Sequence, residues 1–275
     1  MIIFSYDRNI EQFVIEYITN FLYNLRACGA DGCIVYSGDP LPTDAAAVIY
    51  IQKLPEGPLP EHLKVYLLNI EQLSISYWYN TIRGYLDRGV DIIDYSWKNV
   101  ELLHAAVPAE RVHYIPYLYN PDEIMTPSTA NAIAFFGWMS PRREAVANAL
   151  RAADVPLDAF NGVYGEERDK RISAASAILN VHYRDDYKIL ETIRISRLLF
   201  SGFLVISEAS EQECNPLINA CMAAAGNLVL LPYELLCCGN TVRVLLDGWQ
   251  QQRRIVPHEE LLAKSKAIVA DWLSG

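Results

Sequence analysis

Ala132-Ile133-Ala134-Phe135-Phe136-Gly137-Trp138-Met139-Ser140-Pro141-Arg142-Arg143-Glu144 holds a strand, a turn and a helix start in one short stretch. An apolar run stops at a glycine. Ser-Pro then supplies an N-cap and a first helical residue for a helix over Pro141–Ala153. The same alternation continues downstream: strands near Leu157–Phe160, Ala177–Tyr183, Phe203–Ser207 and Leu228–Leu231 are separated by helical patterns at Glu166–Ala175, Tyr187–Ser201 and Pro216–Ala225. Helices near Asn240–Gln252 and His258–Ser274 close the chain. Upstream, strands are expected at Ile2–Ser5, Cys33–Tyr36, Ala46–Gln52, Val65–Asn69, Asp91–Tyr95 and Val112–Pro116. Ile10–Arg26 places Phe13, Val14, Tyr17, Ile18, Phe21, Leu22 and Leu25 at helical spacing, and further helices are expected near Ser74–Arg88 and Ser96–Ala106. Strand–helix–strand alternation predicts parallel sheets covered by helices on both faces. Asn120–Asn131, with Asn-Pro-Asp-Glu and Thr-Pro-Ser-Thr, breaks the pattern as a linker, so two consecutive α/β units are expected.

Composition narrows the partners. The 275 residues are 52% hydrophobic and 20% charged, with 14 Gly and 14 Pro, which suits a folded core and excludes disordered or collagen-like chains. A formal net charge of −10 without a Lys/Arg run argues against nucleic acid, whose phosphate backbone demands clustered positive charge. Apolar runs such as Ala45–Ile51 fall far short of the roughly 20 residues of a membrane span, so at most peripheral membrane contact is expected. The opening Met1-Ile2-Ile3-Phe4-Ser5-Tyr6-Asp7 reads as no signal peptide, and the six cysteines show no zinc spacing. Reduced thiols in a cytoplasmic protein are the expectation.

In open parallel sheets, ligands sit beyond the carboxyl ends of the strands. Ser5-Tyr6-Asp7-Arg8-Asn9 after the first strand is not a dinucleotide fingerprint, and the chain has no P-loop and no nucleophile elbow. In the second half, Gly137 and Trp138 end a strand, and Arg142 and Arg143 open the following helix. Cations oppose a helix N-terminus electrostatically, so the pair is either a diphosphate site or a plain surface pair. Asn180, His182 and Tyr183 end the next strand and suit a sugar or base; a satisfied structural histidine is the bland alternative. Glu191, Arg194 and Arg197 share a helical face, as an exposed ion pair or as a carboxylate for ribose hydroxyls beside arginines for phosphate. Ser207 and Glu208 end a further strand, with Glu211 and Glu213 reading as a solvated acidic loop.

Phe-Phe-Gly-Trp, the arginine pair, Ser-Ala-Ile-Leu-Asn-Val-His-Tyr (176–183) and Leu-Glu-x-x-Arg-Ile-x-x-Leu-Leu-x-x-Gly-x-x-Val-Ile-Ser-Glu (190–208) together resemble the donor domain of GT-B glycosyltransferases. The likeness is strongest to small bacterial and viral enzymes of the "glycosyl transferases group 1" kind. Leu68-Asn69-Ile70-Glu71-Gln72-Leu73, Asp94-Tyr95-Ser96-x-x-Asn99 and Tyr114-Ile115-Pro116-Tyr117 resemble the acceptor-side domain of the same group. The resemblance implies an α/β, GT-B-like fold of two Rossmann-like, doubly wound domains facing across a cleft. It divides the chain into an acceptor-side domain at 1–125, a donor domain at 126–258 and a C-terminal helix, 259–275, packing back on the first domain.

As function, the resemblance implies transfer of a sugar from a nucleotide-sugar donor to a saccharide or glycolipid acceptor, in surface polysaccharide or glycan assembly. Donor contacts fall on Gly137, Trp138, Arg142, Arg143, Asn180, His182, Tyr183, Glu191, Arg194, Ser207 and Glu208. No cofactor or metal is expected: no D-x-D motif sits at a strand end, and arginines with a helix dipole would neutralise the departing diphosphate. The E-x7-E pattern of many retaining members is missing, because Leu199 stands eight residues after Glu191. An inverting reaction needs a base. Asp7, Glu71 and Asp94 follow strands of the first domain, and Glu71 is the favoured candidate; the plainer alternative is a first-turn helix glutamate. Asp94 and His182 complete the catalytic candidates. A non-catalytic carbohydrate-binding or scaffold protein and a sugar-nucleotide epimerase are the alternatives.

Overall fold

A computed structural model describes residues 1–211, 214–252 and 255–275; Glu213 of the expected acidic loop lies outside the described residues. The chain divides into two compact units, the first built mainly from Met1–Asn120 with Leu262–Gly275, the second from Pro121–Gln212 with Pro216–Leu261.

The first unit runs β1 (Ile2–Tyr6), α1 (Glu11–Ala27), β2 (Gly32–Tyr36), β3 (Ala47–Ile51), β4 (Lys64–Asn69), α2 (Ser76–Asp87), β5 (Asp91–Asp94), α3 (Trp97–His104) and β6 (Val112–Tyr114). These strands form one sheet in the order β2-β1-β3-β4-β5-β6, every pair parallel. β1 and β3 are buried along their whole length, the mark of a strand covered on both faces. Ile3, Val48, Leu67 and Ile92 form one face with Ile82 and Leu86 of α2 and Val100 and Leu103 of α3.

The second unit runs β7 (Ile133–Phe136), α4 (Pro141–Ala152), β8 (Leu157–Phe160), α5 (Gly165–Ser173), β9 (Ala177–Asn180), α6 (Thr192–Phe200), β10 (Leu204–Glu208), α7 (Pro216–Ala224), β11 (Leu228–Leu231), α8 (Tyr233–Leu236) and α9 (Gly239–Gln252). Its sheet is β11-β10-β9-β7-β8, again all parallel. Counted from its own first strand, this is the order 5-4-3-1-2, the same winding as the first five strands of the other sheet. Each sheet therefore reverses direction once, between β1 and β3 and between β7 and β9, and strand carboxyl ends beside such a reversal are where doubly wound sheets bind ligands. α4 and α9 pack without a side chain between them at Gly239, where an added Cβ would lie 2.3 Å from the Ala149 carbonyl oxygen.

The last helix, α10 (His258–Ser274), belongs to the first unit from Leu262 onward. There Ser265 Oγ accepts the Tyr119 N–H at 2.9 Å, and the Trp272 ring meets Phe21 and Tyr66 at centroid distances of 5.4 Å. All six cysteines are unpaired.

Two elements differ from the sequence reading in ways that shape the site. The strand expected to reach Tyr183 ends at Asn180, because its ladder with β10 stops at the Asn180–Ser207 pair and its ladder with β7 stops at Ile178. His182 and Tyr183 therefore lie in the loop beyond the edge. The helix expected from Tyr187 begins only at Thr192, and Glu191 precedes it with ψ 65°, outside helical geometry. Glu191 is thus the N-cap position of α6 rather than part of its helical body.

Candidate functional site

At the carboxyl edge of the second sheet, the turn after β7 sets the geometry. Gly137 has φ +132°, a conformation side chains disfavour, and its N–H donates to the Phe160 carbonyl at 3.0 Å. Ser140 caps α4 by accepting the Arg143 N–H, and Pro141 occupies the first helical turn. This cap points Arg143 back under the loop. Its guanidinium is buried, donating to the Val181 carbonyl at 2.8 Å and the Trp138 carbonyl at 2.7 Å. Burial and the neighbouring Arg194 lower its pKa to about 10.

Glu191 sits between two arginines, 3.6 Å from Arg143 Nη2 and 2.6 Å from Arg194 Nη1. Arg194 also reaches Asn180 Oδ1 at 3.4 Å. Two guanidiniums on one carboxylate leave a local excess of positive charge, and both face the bare Cα of Gly137. A Cβ there would lie 3.4 Å from Arg194 Nη2 and 3.5 Å from Arg143 Nη1. Trp138 stands beside them, 66% exposed, and Tyr183 is also exposed with Arg143 under its ring.

Other expected donor contacts are bonded inside the protein. Arg142 is bound by both oxygens of Glu208 and by Asp185, and its guanidinium lies 3.6 Å over the Tyr233 ring. Its charge is therefore neutralised within the edge. Glu208 is buried, and its Oε2 also accepts the His182 N–H at 3.1 Å, so Glu208 ties the loop after β9 and the start of α4 to the end of β10. Asn180 and Ser207 are wholly buried and bonded to each other at 2.9 Å, which makes them supports for Arg194 rather than exposed contacts. His182 is buried, with Nε2 3.0 Å from Ser210 Oγ, and burial pulls its pKa down. Arg197, grouped with Arg194 by spacing, belongs elsewhere: it binds Asp169 at 2.8 Å and Glu123 at 3.3 Å.

The corresponding edge of the first sheet is built around Glu71. Its N–H donates to Asn69 Oδ1 at 3.1 Å, and its carbonyl accepts from Asn69 Nδ2 at 2.9 Å and Asn99 Nδ2 at 2.8 Å. Gln52 Nε2 donates to its Oε1 at 2.8 Å. Burial raises the carboxyl pKa, and the Gln52 bond pulls the other way. Asp94, expected as a candidate base, is corrected to a structural anchor: it is fully buried, and it accepts from Asn69 Nδ2 at 2.6 Å, Ser96 N at 2.9 Å and Asn99 Nδ2 at 3.0 Å. In this arrangement both oxygens of Asp94 are bonded within the protein. Asp7 caps the turn Arg8–Ile10 by accepting from Asn9 N.

Sequence reading missed several members of these edges. Tyr6 and Tyr36 both donate to Glu11 Oε1, at 3.3 and 2.8 Å, with Arg8 stacked 4.1 Å over Tyr36. Gln52, Tyr233 and Asp185 carried no spacing signal, because their partners lie on other strands. Asn69 and Asn99 stood inside the quoted motifs, and their position at strand and helix ends is the signal that marks them. Among the described residues, no group of three His, Cys, Asp or Glu side chains is placed to hold a metal ion.

No family model matches the chain. An uncharacterized protein of Acanthamoeba polyphaga mimivirus is 28% identical over 204 residues, which is 71% of this chain and 65% of that protein. A second from the same virus is 31% identical over 171 residues, which is 59% of this chain and 23% of its own length. The chain thus spans less than two thirds of the curated relatives it matches. Among solved structures, AviGT4, a glycosyltransferase involved in avilamycin A biosynthesis, has a TM-score of 0.61 at 13% identity, covering 100% of this chain and 96% of that one. The T4 phage BGT in complex with UDP and Mn2+ has a TM-score of 0.55 at 14% identity, covering 100% and 98%. A further structure of similar fold is described as a DNA-modifying β-glucosyltransferase with the substrate uridine diphosphoglucose. The chain has a GT-B glycosyltransferase-like fold, two parallel α/β sheets with flanking helices.

Proposed function

We propose that the chain is a glycosyltransferase that moves a sugar from a nucleotide-sugar donor to a hydroxyl of a saccharide or glycolipid acceptor. One observation carries this reading: Arg143 and Arg194 converge on the single carboxylate Glu191 beside the bare Cα of Gly137, at the strand reversal between β7 and β9. A diphosphate leaving group gains charge as the glycosidic bond breaks, and preorganised guanidiniums meet that charge. Positive charge then comes from the protein's own arginines, and the reaction as proposed routes no step through a metal. Glu191 suits a sugar or ribose hydroxyl, and the exposed Trp138 and Tyr183 suit ring stacking.

Glu71 is the proposed base that takes the acceptor proton. Its half-buried carboxyl, raised by burial, moves towards the range in which a base works near neutrality. The β-glucosyltransferase of similar fold is described as DNA-modifying, so DNA is the competing acceptor. Here a net charge of −10 favours an acceptor without a polyanionic backbone, and surface polysaccharide or glycan assembly in the cytoplasm is the proposed setting. Among the described residues, no helix is long and apolar enough to cross a membrane.

The test is thermal unfolding with UDP, GDP, TDP and CMP, alone and with Arg194→Ala. A nucleotide that binds the native state raises Tm, and the variant is expected to lose that rise. If no nucleotide moves the wild-type Tm, the donor site is wrong. Binding that persists without any turnover of nucleotide sugars would make the protein a scaffold.

A further inference from the structure

Gln52 immediately follows β3, at the reversal between β1 and β3, and has φ +67°. Among the described residues, the other non-glycine with positive φ is Asp154, a short polar side chain just past the end of α4, where left-handed residues close helices. Gln52 has no helix to close. A glycine would make this turn without the steric cost that a long side chain brings in left-handed geometry. Both N–H groups of the turn are used: Gln52 N–H extends the ladder to the Leu68 carbonyl at 2.9 Å, and Lys53 N–H folds back to the Ile51 carbonyl at 2.8 Å. The side chain donates from Nε2 to Glu71 Oε1 at 2.8 Å.

The rest of Glu71 is held from the other direction. Asn69 and Asn99 grip its peptide and are themselves held by the buried Asp94. The main chain of Glu71 is thereby fixed, and the direction of its carboxylate remains to be set. An ionised carboxylate only accepts hydrogen bonds, so the Gln52 amide favours the ionised form and occupies one of the two oxygens. An observed backbone outlier that aims a side chain at a candidate base supports an inference of function.

We infer that Gln52 is a positioning residue for Glu71, orienting its carboxylate so that Oε2 is left for the acceptor hydroxyl. The inference rests on the reading of Glu71 as base. Around Glu71 stand the amides of Gln52, Asn69 and Asn99, with Asp94 behind them; burial and the Gln52 bond are the causes of its pKa shift, and they oppose each other.

The experiment titrates the side-chain carboxyl carbon of Glu71 by NMR in the full chain, in wild type and Gln52→Gly. Glycine keeps the turn and deletes the donor. The titration midpoint is expected to rise by about one pH unit, the effect of removing a hydrogen bond to a charged group. A Gln52→Asn variant, which tolerates the same turn but falls short of Glu71, should shift it likewise if the glycine variant does not fold. An unmoved midpoint in a folded variant overturns the role of Gln52. Turnover of UDP-glucose, GDP-mannose and related donors by Glu71→Gln is the separate arm. If that variant keeps wild-type turnover, the base reading fails and takes this inference with it. If it is inactive while the midpoint of Gln52→Gly is unmoved, only the positioning role fails.

Discussion

Gly137→Ala isolates the proposed diphosphate site. The change has two separable costs. The first is backbone strain: at φ +132° an L-residue with a side chain costs on the order of 1–2 kcal/mol in folding. The second is steric and local. The new methyl would stand 3.4 Å from Arg194 Nη2 and 3.5 Å from Arg143 Nη1, filling the space in which a phosphate oxygen would meet both guanidiniums. Losing one charge-assisted hydrogen bond removes about 1.5–3 kcal/mol, which is roughly a tenfold to hundredfold weaker Kd. Gly89→Ala is the control. Gly89 has φ +85° just past the end of α2, and a Cβ there would meet nothing within 4 Å. Denaturant unfolding at constant m-value gives the stability loss, and titration calorimetry with whichever nucleoside diphosphate binds wild type gives the affinity. Both variants should be destabilised to a similar extent, and Gly137→Ala alone should lose affinity. A folded Gly137→Ala protein that binds the nucleotide as tightly as wild type would refute the placement of the phosphates beside Arg143 and Arg194.

Asp94→Asn should cost about 2–3 kcal/mol in folding, because an amide presented to Asn69, Asn99 and the Ser96 N–H leaves buried donors facing each other; a stable, inactive variant would restore Asp94 as a base. Arg197→Ala should lower stability by about 2 kcal/mol, less than a fully buried pair because Asp169 keeps Arg168, and should leave nucleotide affinity unchanged by calorimetry. Burial depresses the pKa of His182, so its neutral form is favoured in the folded state and the unfolded chain binds the extra proton. Its contribution is fully present above the ordinary histidine range and is lost as pH falls through that range towards the folded value. Unfolding midpoints at stepped pH should therefore decline on acidification, less steeply in a folded His182→Gln variant, and an unchanged slope would show that His182 is not the group involved.

The second unit shows how far local reading reaches. Pro141 and Ser140 announced the start of α4, and the apolar runs placed every strand of both sheets to within a few residues, because strand period and capping chemistry act over short sequence distances. Glu191 shows where that reading stops. Helical periodicity carried the helix back to Tyr187, yet Glu191 stands outside it; its pairing with Arg194 three residues on was within reach of local reading, and its pairing with Arg143 from α4 was not. Asp94 shows the same limit at the first edge: an aspartate after a strand has the sequence of a base and the surroundings of an anchor.

The amino-acid order by itself determined the parallel α/β class, the two-unit organisation and the strand ends on which polar residues gather, since each follows from periodicity, glycine, proline and cap residues within a window of a few turns. Only the tertiary structure decided which of those polar residues are committed to one another. Arg142 and Arg143 are adjacent in sequence, yet one is neutralised by Glu208 from β10 and the other shares Glu191 with Arg194. Charge pairing is set by distance in space, and the parallel sheet brings strands far apart in the chain to neighbouring positions at one edge.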